Sequence, residues 1–533
     1  MTESPPRLRA GVECVAFSQR GLDGKPFRWN FVIDYRTGRR FAVSNLEAEI
    51  FAAVRRCGAE ATPDRVRHEV RVGSGLTASD EAIEGLVASL SRLCLLAEPE
   101  ESAEPLGPRQ GTNDRETYES LQRDALSAFF ERVVGEVPYY RDLLGDQEPP
   151  TSAGDLSRFP IMNKAALRAA LPKLQPDWLT EEKHSVRFLS SSGSTDDRTQ
   201  TLHLTDELSQ PYSMGFSALG LNPATDEFTI AYLIPPICSG TECHMDMMLP
   251  YTRRVTPSGR LLYLNSFRDP STVSDERVDA VLDELEGFAP SMLAFDAAYA
   301  APVARRALAT GRRLPSVKAI ITSYGVSSSL HLDLLKKAFG VPVHDMYSMT
   351  EAGPIAGSCA EGAYHVFSPC LVEIVDEEGS PVAPGEVGRL LVTTLENKLT
   401  PLLRYETGDF ARAAVDRCSC SLEHTDTFAS LEGRISDAIT DTRGGRVVAR
   451  AVDTAVAADL VDGALQCYQL VQGADRGYRL LVVPGEAYDA DVEAALADRL
   501  RGLLGGDAAL AIESCRSLPP STNGKYRLCY RER

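Results

Sequence analysis

Two spacings of apolar residues alternate along this chain, one of period two and one of period three to four. Near the start, Phe31-Val32-Ile33-Asp34-Tyr35 and Arg40-Phe41-Ala42-Val43 flank Arg36-Thr37-Gly38-Arg39, which reads as a β-hairpin with glycine in its turn. Ser44-Asn45-Leu46-Glu47 has the form of a capping box and opens a helix with Leu46, Ile50, Phe51 and Val54 on one face. Thr62-Pro63 starts a second helix with proline at its first position. A third carries Ile83, Leu86, Val87, Leu90 and Leu93 at helical spacing. A hairpin with three short helices is a winged-helix-like arrangement, and it occupies residues 1–98. Residues 99–114 are rich in Pro, Glu and Gly and lack periodicity, as a linker does.

From Arg115 to Val134 the spacing is helical, and two Pro-punctuated stretches follow, Val137-Pro138-Tyr139-Tyr140-Arg141 and Phe159-Pro160-Ile161-Met162-Asn163-Lys164. Strand patterns then appear at Thr229–Ile234, Met292–Phe295, Lys318–Thr322 and Val341–Val343, with helical patterns such as Asp275–Leu285 and Ala298–Leu308 between them. Alternation of this kind predicts an α/β domain, residues 115–432, around a largely parallel sheet covered on both faces. Beyond it, Tyr468–Val471 and Tyr478–Val483 read as strands around a Gly-Ala-Asp turn, Ala490–Leu504 as a helix and Ala511–Ser514 as a last strand. Residues 433–533 are therefore expected to form a small α+β domain.

A length of 533 residues agrees with two or three domains. The net charge of −19 disfavours a nucleic-acid partner or an anionic membrane surface. Twelve scattered cysteines in a large chain suit a reducing, cytoplasmic compartment. The start MTESPPRLRA has no apolar signal region, and no run reaches membrane-spanning length.

Sites in α/β sheets gather at the C-terminal ends of strands, and of four chemically rich stretches two, at Ser323 and Tyr347, follow such ends. Phe188-Leu189 runs into Ser190-Ser191-Ser192-Gly193-Ser194-Thr195, a loop whose N–H and hydroxyl donors can wrap phosphate oxygens. Ser323-Tyr324-Gly325 follows one strand and Tyr347-Ser348-Met349-Thr350-Glu351-Ala352-Gly353 the next. An aromatic face there can stack on a purine, and Thr350 with Glu351 can hold a phosphate and its Mg²⁺. Finally, Arg404-Tyr405-Glu406-Thr407-Gly408-Asp409 enters a glycine turn that would leave the Asp409 carboxylate at a loop tip, open to the two hydroxyls of a ribose. Each piece alone is equally an ordinary turn.

The ordered set SSSGST, SYG, YSMTE, RYETGD, Gly433-Arg434-Ile435-Ser436-Asp437 and Thr522-Asn523-Gly524-Lys525 resembles the acyl-adenylate-forming superfamily. It is most similar to the phenylacetate–coenzyme A ligase branch, whose likeness extends to VPYYR, FPIMNK and the ending GKYRLCYRER. The front module in turn resembles the winged-helix domains that hold leader peptides by strand addition; a packing or dimerisation module is the alternative, and a homodimer stays open. The resemblance implies an α/β adenylate-forming domain followed by a mobile C-terminal lid, with ATP, Mg²⁺ and coenzyme A as cofactors and a small-molecule carboxylic acid as substrate. By position it gives Ser191, Ser192, Gly193, Ser194 and Thr195 to the phosphates, and Ser323, Tyr324, Gly325 and Tyr347 to the adenine side. Thr350 and Glu351 fall to the α-phosphate and metal, Asp409 with Arg434 to the ribose, and Lys525 to the substrate carboxylate and α-phosphate. His244, in Cys238-Ser239-Gly240-Thr241-Glu242-Cys243-His244, falls where the family's substrate loop lies, although a surface-loop histidine fits as well.

Two positions depart from the family pattern. The phosphate loop continues Thr195-Asp196-Asp197-Arg198, and two carboxylates beside a triphosphate repel it unless Arg198 compensates; the hinge position is Ser436, with Asp437 one place on. Separately, Cys359, His365, Cys418 and Cys420 lie in two loops which, if neighbouring, bring together four ligands suited to structural Zn²⁺, with Cys370 and His424 as competitors. The leading expectation is thus an acid–thiol ligase working through an acyl-adenylate. Transfer to an amine, peptide or carrier protein recruited by the front module is the first alternative, and a non-catalytic peptide-binding scaffold the second.

Overall fold

The computed structural model describes residues 12–20, 26–34, 39–43, 45–57, 63–74, 79, 83, 114–144, 147–180, 186–190, 199–204, 229–235, 251–255, 260–367, 370–458, 460, 462–521 and 524–532. The chain divides into two compact units, Met1–Gly107 with Tyr251–Leu261, and Pro108–Pro250 with Leu262–Arg533.

In the first unit, β1 (Val12–Arg20), β2 (Pro26–Asp34) and β3 (Arg39–Val43) form an antiparallel sheet in that order. β2 and β3 are the expected hairpin, with Asp34 opposite Arg39. β1 adds a third strand that the hairpin pattern leaves out. Helix α1 (Asn45–Cys57) starts at the capping-box sequence and buries Ile50, Phe51 and Val54, the face its spacing predicts. Helix α2 (Pro63–Ser74) opens on Pro63, whose missing N–H has no helical partner to lose there. The expected third helix lies outside the described residues except for Ile83, as does the expected linker 99–114 except for Asp114.

The second unit opens with α3 (Arg115–Glu136), capped by Asp114, then α4 (Pro138–Leu144) and α5 (Lys164–Leu174), capped by Asn163. Strands β4 (Val186–Ser190) and β5 (Gln200–Leu204) pair antiparallel. Next come β6 (Ile230–Leu233), β7 (Leu261–Tyr263), α6 (Asp275–Phe288), β8 (Met292–Phe295), α7 (Ala297–Thr310), β9 (Ala319–Thr322), α8 (Ser329–Phe339) and β10 (Val343–Met349). β11 (Gly353–Ser358), β12 (Tyr364–Val366), β13 (Cys370–Val375), β14 (Val387–Thr394), β15 (Tyr405–Ala413) and β16 (Thr427–Arg434) complete an eleven-stranded sheet. Its order is β13-β14-β15-β16-β12-β11-β10-β9-β8-β6-β7.

This sheet is mixed rather than largely parallel. Among the described residues β6–β8, β8–β9 and β9–β10 pair parallel, as helical crossovers between them require. From β10 onward short turns reverse the chain and the pairing is antiparallel. The helices α3 to α5 bury Phe129, Phe130, Tyr140 and Leu167 against Leu390, Val392, Tyr405 and Phe428 of that antiparallel half, which makes an extensive apolar core there.

After β16 come the short hairpin β17 (Ile439–Thr440) and β18 (Arg446–Val447), α9 (Ala449–Ala457), β19 (Leu465–Gln472), β20 (Tyr478–Pro484), α10 (Ala490–Leu504), β21 (Leu510–Ser514) and β22 (Cys529–Arg531). They form a separate four-stranded sheet, β21-β20-β19-β22. α10 matches the helix read from the sequence and buries Val492, Leu496 and Leu500. This small core also takes in Val326 and Leu330 from the start of α8, which ties residues 433–533 to the parallel half of the large sheet.

Candidate active site

The Arg404–Asp409 stretch does not form a loop tip. Residues 405–413 are strand β15, with Gly408 at φ +81° inside it and a register shift where β15 meets β14. The glycine kinks a strand between two neighbours, which aims Asp409 differently from its flanks. Arg404, at φ +48°, is buried and structural. Its guanidinium pairs with Glu373 at 3.0 Å and donates to the carbonyls of Phe159 (2.7 Å) and Gly379 (2.9 Å). Met162 of the FPIMNK stretch bonds the backbone on both sides, its N–H to Arg404 O and its carbonyl from Glu406 N. Glu406 is held by Arg389 at 2.7 Å. These charged residues of the motif are therefore structural.

Asp409 is 9% exposed. Tyr347 OH donates to one of its oxygens at 2.8 Å, and Arg434 Nε lies 3.5 Å from the other, on the partner position of β16. Burial, with the Asp409 charge adding to it, pushes the Tyr347 phenol well above its ordinary value, so it stays a donor. Tyr347, Ser348 and Met349 lie within β10 rather than after it; the turn is Thr350–Ala352, and it leads through Gly353 (φ +76°) into β11. Glu351 is 5% exposed and accepts from Tyr405 OH at 3.4 Å. Asp409, Arg434, Tyr347 and, through Tyr405, Glu351 thus form one strand-borne group.

A second group surrounds Lys525. It lines a cleft with Asp296, Ser323, Gly325, Val326, His331 and Tyr526. The backbone on both sides of Lys525 is anchored. Tyr299 OH donates to Gly524 O at 3.0 Å, and the rings of Tyr299 and Tyr526 meet edge-on at 6.3 Å. Tyr526 OH donates to Asp269 at 3.4 Å, and Ser521 holds the Lys525 carbonyl with its N–H (3.0 Å) and hydroxyl (2.7 Å). Ser323 ends β9, and Tyr324 carries φ +82°, a strained backbone for a side chain of its size. Asp296, immediately after β8, caps α7 through bonds to Ala298 N and Tyr299 N. Burial pushes its carboxyl up to about 6, opposed by those two N–H bonds and by the nearby Lys525 charge. Ser191, Ser192, Gly193, Ser194, Thr195 and His244 lie outside the described residues, as do Asp196 and Asp197.

No protein-family model matches the chain. A phenylacetate-coenzyme A ligase of Thermus thermophilus is 25% identical over 380 residues, 68% of this chain and 80% of that protein. A crystal structure of 2-hydroxyisobutyryl-CoA ligase in the postadenylation state, in complex with R3-HIB-AMP, superimposes with a TM-score of 0.61 at 19% identity. It covers 82% of this chain and 94% of that one. An open conformation of the same ligase, in complex with 2-HIB-AMP and CoA, gives a TM-score of 0.51 at 18% identity, covering 81% and 95%. The fold is that of the adenylate-forming ligases.

In this adenylate-forming fold the Cys/His residues lie close together as well. The ligand atoms of Cys359, His365, Cys418 and Cys420 all fall within 4.8 Å of one another. Cys359 and His365 flank the turn between β11 and β12, and the two others sit in the β15–β16 connection. Cys359 Sγ is 3.6 Å from Cys418 Sγ, and Cys420 Sγ is 3.2 Å from His365 Nε2. Tetrahedral Zn²⁺ with about 2.3 Å bonds to sulfur sets S···S edges near 3.8 Å, so the residues fit. His365 also has its other nitrogen, Nδ1, bonded to Thr425 Oγ1 at 2.8 Å, the outer bond that fixes a ligating imidazole. The competitors are elsewhere: Cys370 is core, with its Sγ toward Pro354 O, and the ring of His424 meets Tyr118 edge-on.

Sequence reasoning missed Asp296, His331 and the Tyr299–Tyr526 pair. The signal for Asp296 was present, since it directly follows an apolar strand, the same position that marked Ser323. His331 and Tyr299 carry no such signal, because helix spacing alone reads both as core.

Proposed function

We propose that this chain is an ATP-dependent ligase that activates a small-molecule carboxylic acid as its acyl-adenylate and then transfers the acyl group to the thiol of coenzyme A. One observation carries the reading: within an adenylate-forming fold, Lys525 from the C-terminal segment lines the same cleft as Ser323 and Gly325 at the ends of the parallel strands. The relatives named above, both coenzyme A ligases, support the thiol as acceptor.

In the first step a carboxylate oxygen attacks the α-phosphorus of ATP and the bond to the bridging oxygen breaks, releasing pyrophosphate. Negative charge builds on the phosphorus oxygens, and the Lys525 ammonium, brought in by the lid, offsets it in a site shielded from water. Asp409 accepts from the ribose hydroxyls, with Arg434 and Tyr347 holding its orientation. Ser323, Tyr324 and Gly325 line the adenine side. Mg²⁺, when bound, supplies further charge neutralisation and would be held by Glu351, with Thr350 on the phosphate. In the second step the thiol sulfur attacks the acyl carbon, its proton passes to solvent, the acyl–phosphate bond breaks and AMP leaves. Swinging residues 433–533 about Ser436 and Asp437 separates the two steps.

We also propose that Cys359, His365, Cys418 and Cys420 hold a structural Zn²⁺ that pins the β11–β12 turn to the β15–β16 connection, away from the chemistry. The front unit is proposed as a peptide-recognition module of the winged-helix kind, presenting its sheet for strand addition; a chain lacking residues 1–107 that keeps full turnover with a free acid and coenzyme A assigns it to recruitment rather than catalysis. The main reading is tested by ATP–pyrophosphate exchange screened across aryl, fatty and amino acids. Exchange with one class, lost in Lys525→Ala, is the expected result; no exchange with any acid by a protein that does not bind ATP overturns it.

A further inference from the structure

Three of the bonds that join residues 433–533 to the large sheet converge on one buried carboxylate. Asp453, on α9, is fully buried and receives five donors. Two come from its own segment: Tyr468 OH (2.5 Å) and Arg450 Nη1 (3.2 Å). The other three come from the first residues of α8 on the large sheet: Ser328 Oγ at 2.9 Å, Ser329 N at 2.9 Å and Ser329 Oγ. Ser328 is the N-cap of α8, and its side chain bonds Leu330 N at 3.2 Å. The first N–H of α8 is thus satisfied by a carboxylate from another segment, at the end of the helix where the dipole favours negative charge. Arg450 reinforces the contact through the Ser327 carbonyl at 3.3 Å.

What Asp453 caps matters because of what precedes it. Residues 323–328 connect β9 to α8 and contain Ser323, Tyr324 with its left-handed backbone, and Gly325, all given above to the adenine side. A non-glycine residue at φ +82° is kept only where its surroundings over-determine it, and the downstream anchor of this loop is the α8 cap. We propose that Asp453 is a positioning residue that holds the 323–328 loop in its nucleotide-binding shape only while the lid is docked in this orientation. When residues 433–533 rotate for the second step, the carboxylate leaves, Ser329 N–H and the Ser328 and Ser329 hydroxyls lose their shared acceptor while Ser328 alone still caps Leu330 N, and the strained loop relaxes. Nucleotide grip is thereby coupled to lid position, which favours ATP capture with Lys525 in place and AMP release after transfer. This rests on the two-step reading above, but its test does not need turnover.

The test is hydrogen–deuterium exchange of the full-length chain, following the peptide that spans residues 323–332, in wild type, Asp453→Asn and Ser329→Ala, with calorimetric titration of Mg-ATP. Asn keeps the volume but loses the charge, and its amide opposes the donors around it. Expected in Asp453→Asn is exchange in this peptide about tenfold faster without nucleotide, with strand 478–484, which does not touch Asp453, unchanged, and an ATP dissociation constant raised about tenfold. Ser329→Ala, which keeps the backbone bond, should shift both the same way by a smaller factor; it carries the test if Asp453→Asn does not fold. Unchanged exchange at 323–332, or an acceleration shared equally by strand 478–484, overturns the proposal. Failure of wild type to bind ATP would overturn the ligase reading and leave the exchange comparison to decide the role of Asp453.

Discussion

The Tyr347–Asp409–Arg434 group, proposed for the ribose, and the cysteine group are built on the same part of the sheet, yet they are held together in opposite ways. Tyr347, Asp409 and Arg434 hang from β10, β15 and β16, and their charges and hydrogen bonds are matched among themselves. Cys359, His365, Cys418 and Cys420 hang from the connections of those strands and their neighbours, and they bring no cation of their own. Burial pushes the Cys418 thiol up to about 12, with neighbouring thiols adding to it. The first group is held by its own bonds without a ligand. The second is the group proposed above to close around an ion. On the proposed reading the first binds a nucleotide during turnover and the second is a clasp.

The hardest test of that division is Lys525→Ala. If the cleft is specialised for turnover, exchange of pyrophosphate into ATP should fall by about 10²–10³-fold, the usual cost of one transition-state donor, while the thermal midpoint barely moves. A parallel loss of stability would show that Lys525 is part of the scaffold. The mirror experiment is Cys418→Ser: zinc measured by elemental analysis should drop from one ion per chain to none, and unfolding free energy should fall on the order of 3 kcal/mol, with residual folded enzyme still active. Wild-type protein without zinc removes the clasp altogether.

A third measurement concerns His331, the neutral member of the cleft wall. Burial, with the Arg305 charge adding to it, pushes its imidazole down to about 4. A depressed value means the folded state binds the proton less well than the unfolded one. Its contribution to stability is therefore complete above about pH 6.5 and is lost as pH falls toward 4, about 2 kcal/mol by pH 5. Urea titrations of His331→Asn should show a correspondingly flatter decline over that window; an unchanged slope refutes the assignment. The smallest expected effect is Asp409→Asn, which keeps the Tyr347 bond but weakens the ribose contact, raising the KM for ATP about tenfold with kcat nearly unchanged. A change in kcat alone would move Asp409 out of the binding role.

Much of this was legible in the chain because the signals are local. α10 begins and ends where its apolar spacing and the Asp489 cap say it should, and β8 fills its predicted span, since period and capping are properties of neighbouring residues. The convergence of four cysteine and histidine ligands was also readable as a condition: it needed only that two loops be neighbours.

Less legible was what each member of a motif meets. Arg404 and Asp409 sit five residues apart in one conspicuous run, but Arg404 is taken up by Glu373 and the carbonyls of Phe159 and Gly379, while Asp409 meets Tyr347 and Arg434. The sheet's change from parallel to antiparallel after β10 depends on whether a connection is a helix or a turn, and the chain there has no helical period to betray it until pairing partners are known. Asp453 is the extreme case. In sequence it is an aspartate on an amphipathic helix, and only the meeting of α9 with the start of α8, 124 residues away, makes it a cap.

The sequence by itself determined the elements, their order and the residue types that chemistry would need, because backbone propensity and side-chain period act over a few residues. Tertiary structure alone decided which of those side chains share a cavity, which are locked into the wall and which carboxylate closes which helix, because burial and long-range hydrogen bonding exist only once distant segments have come together.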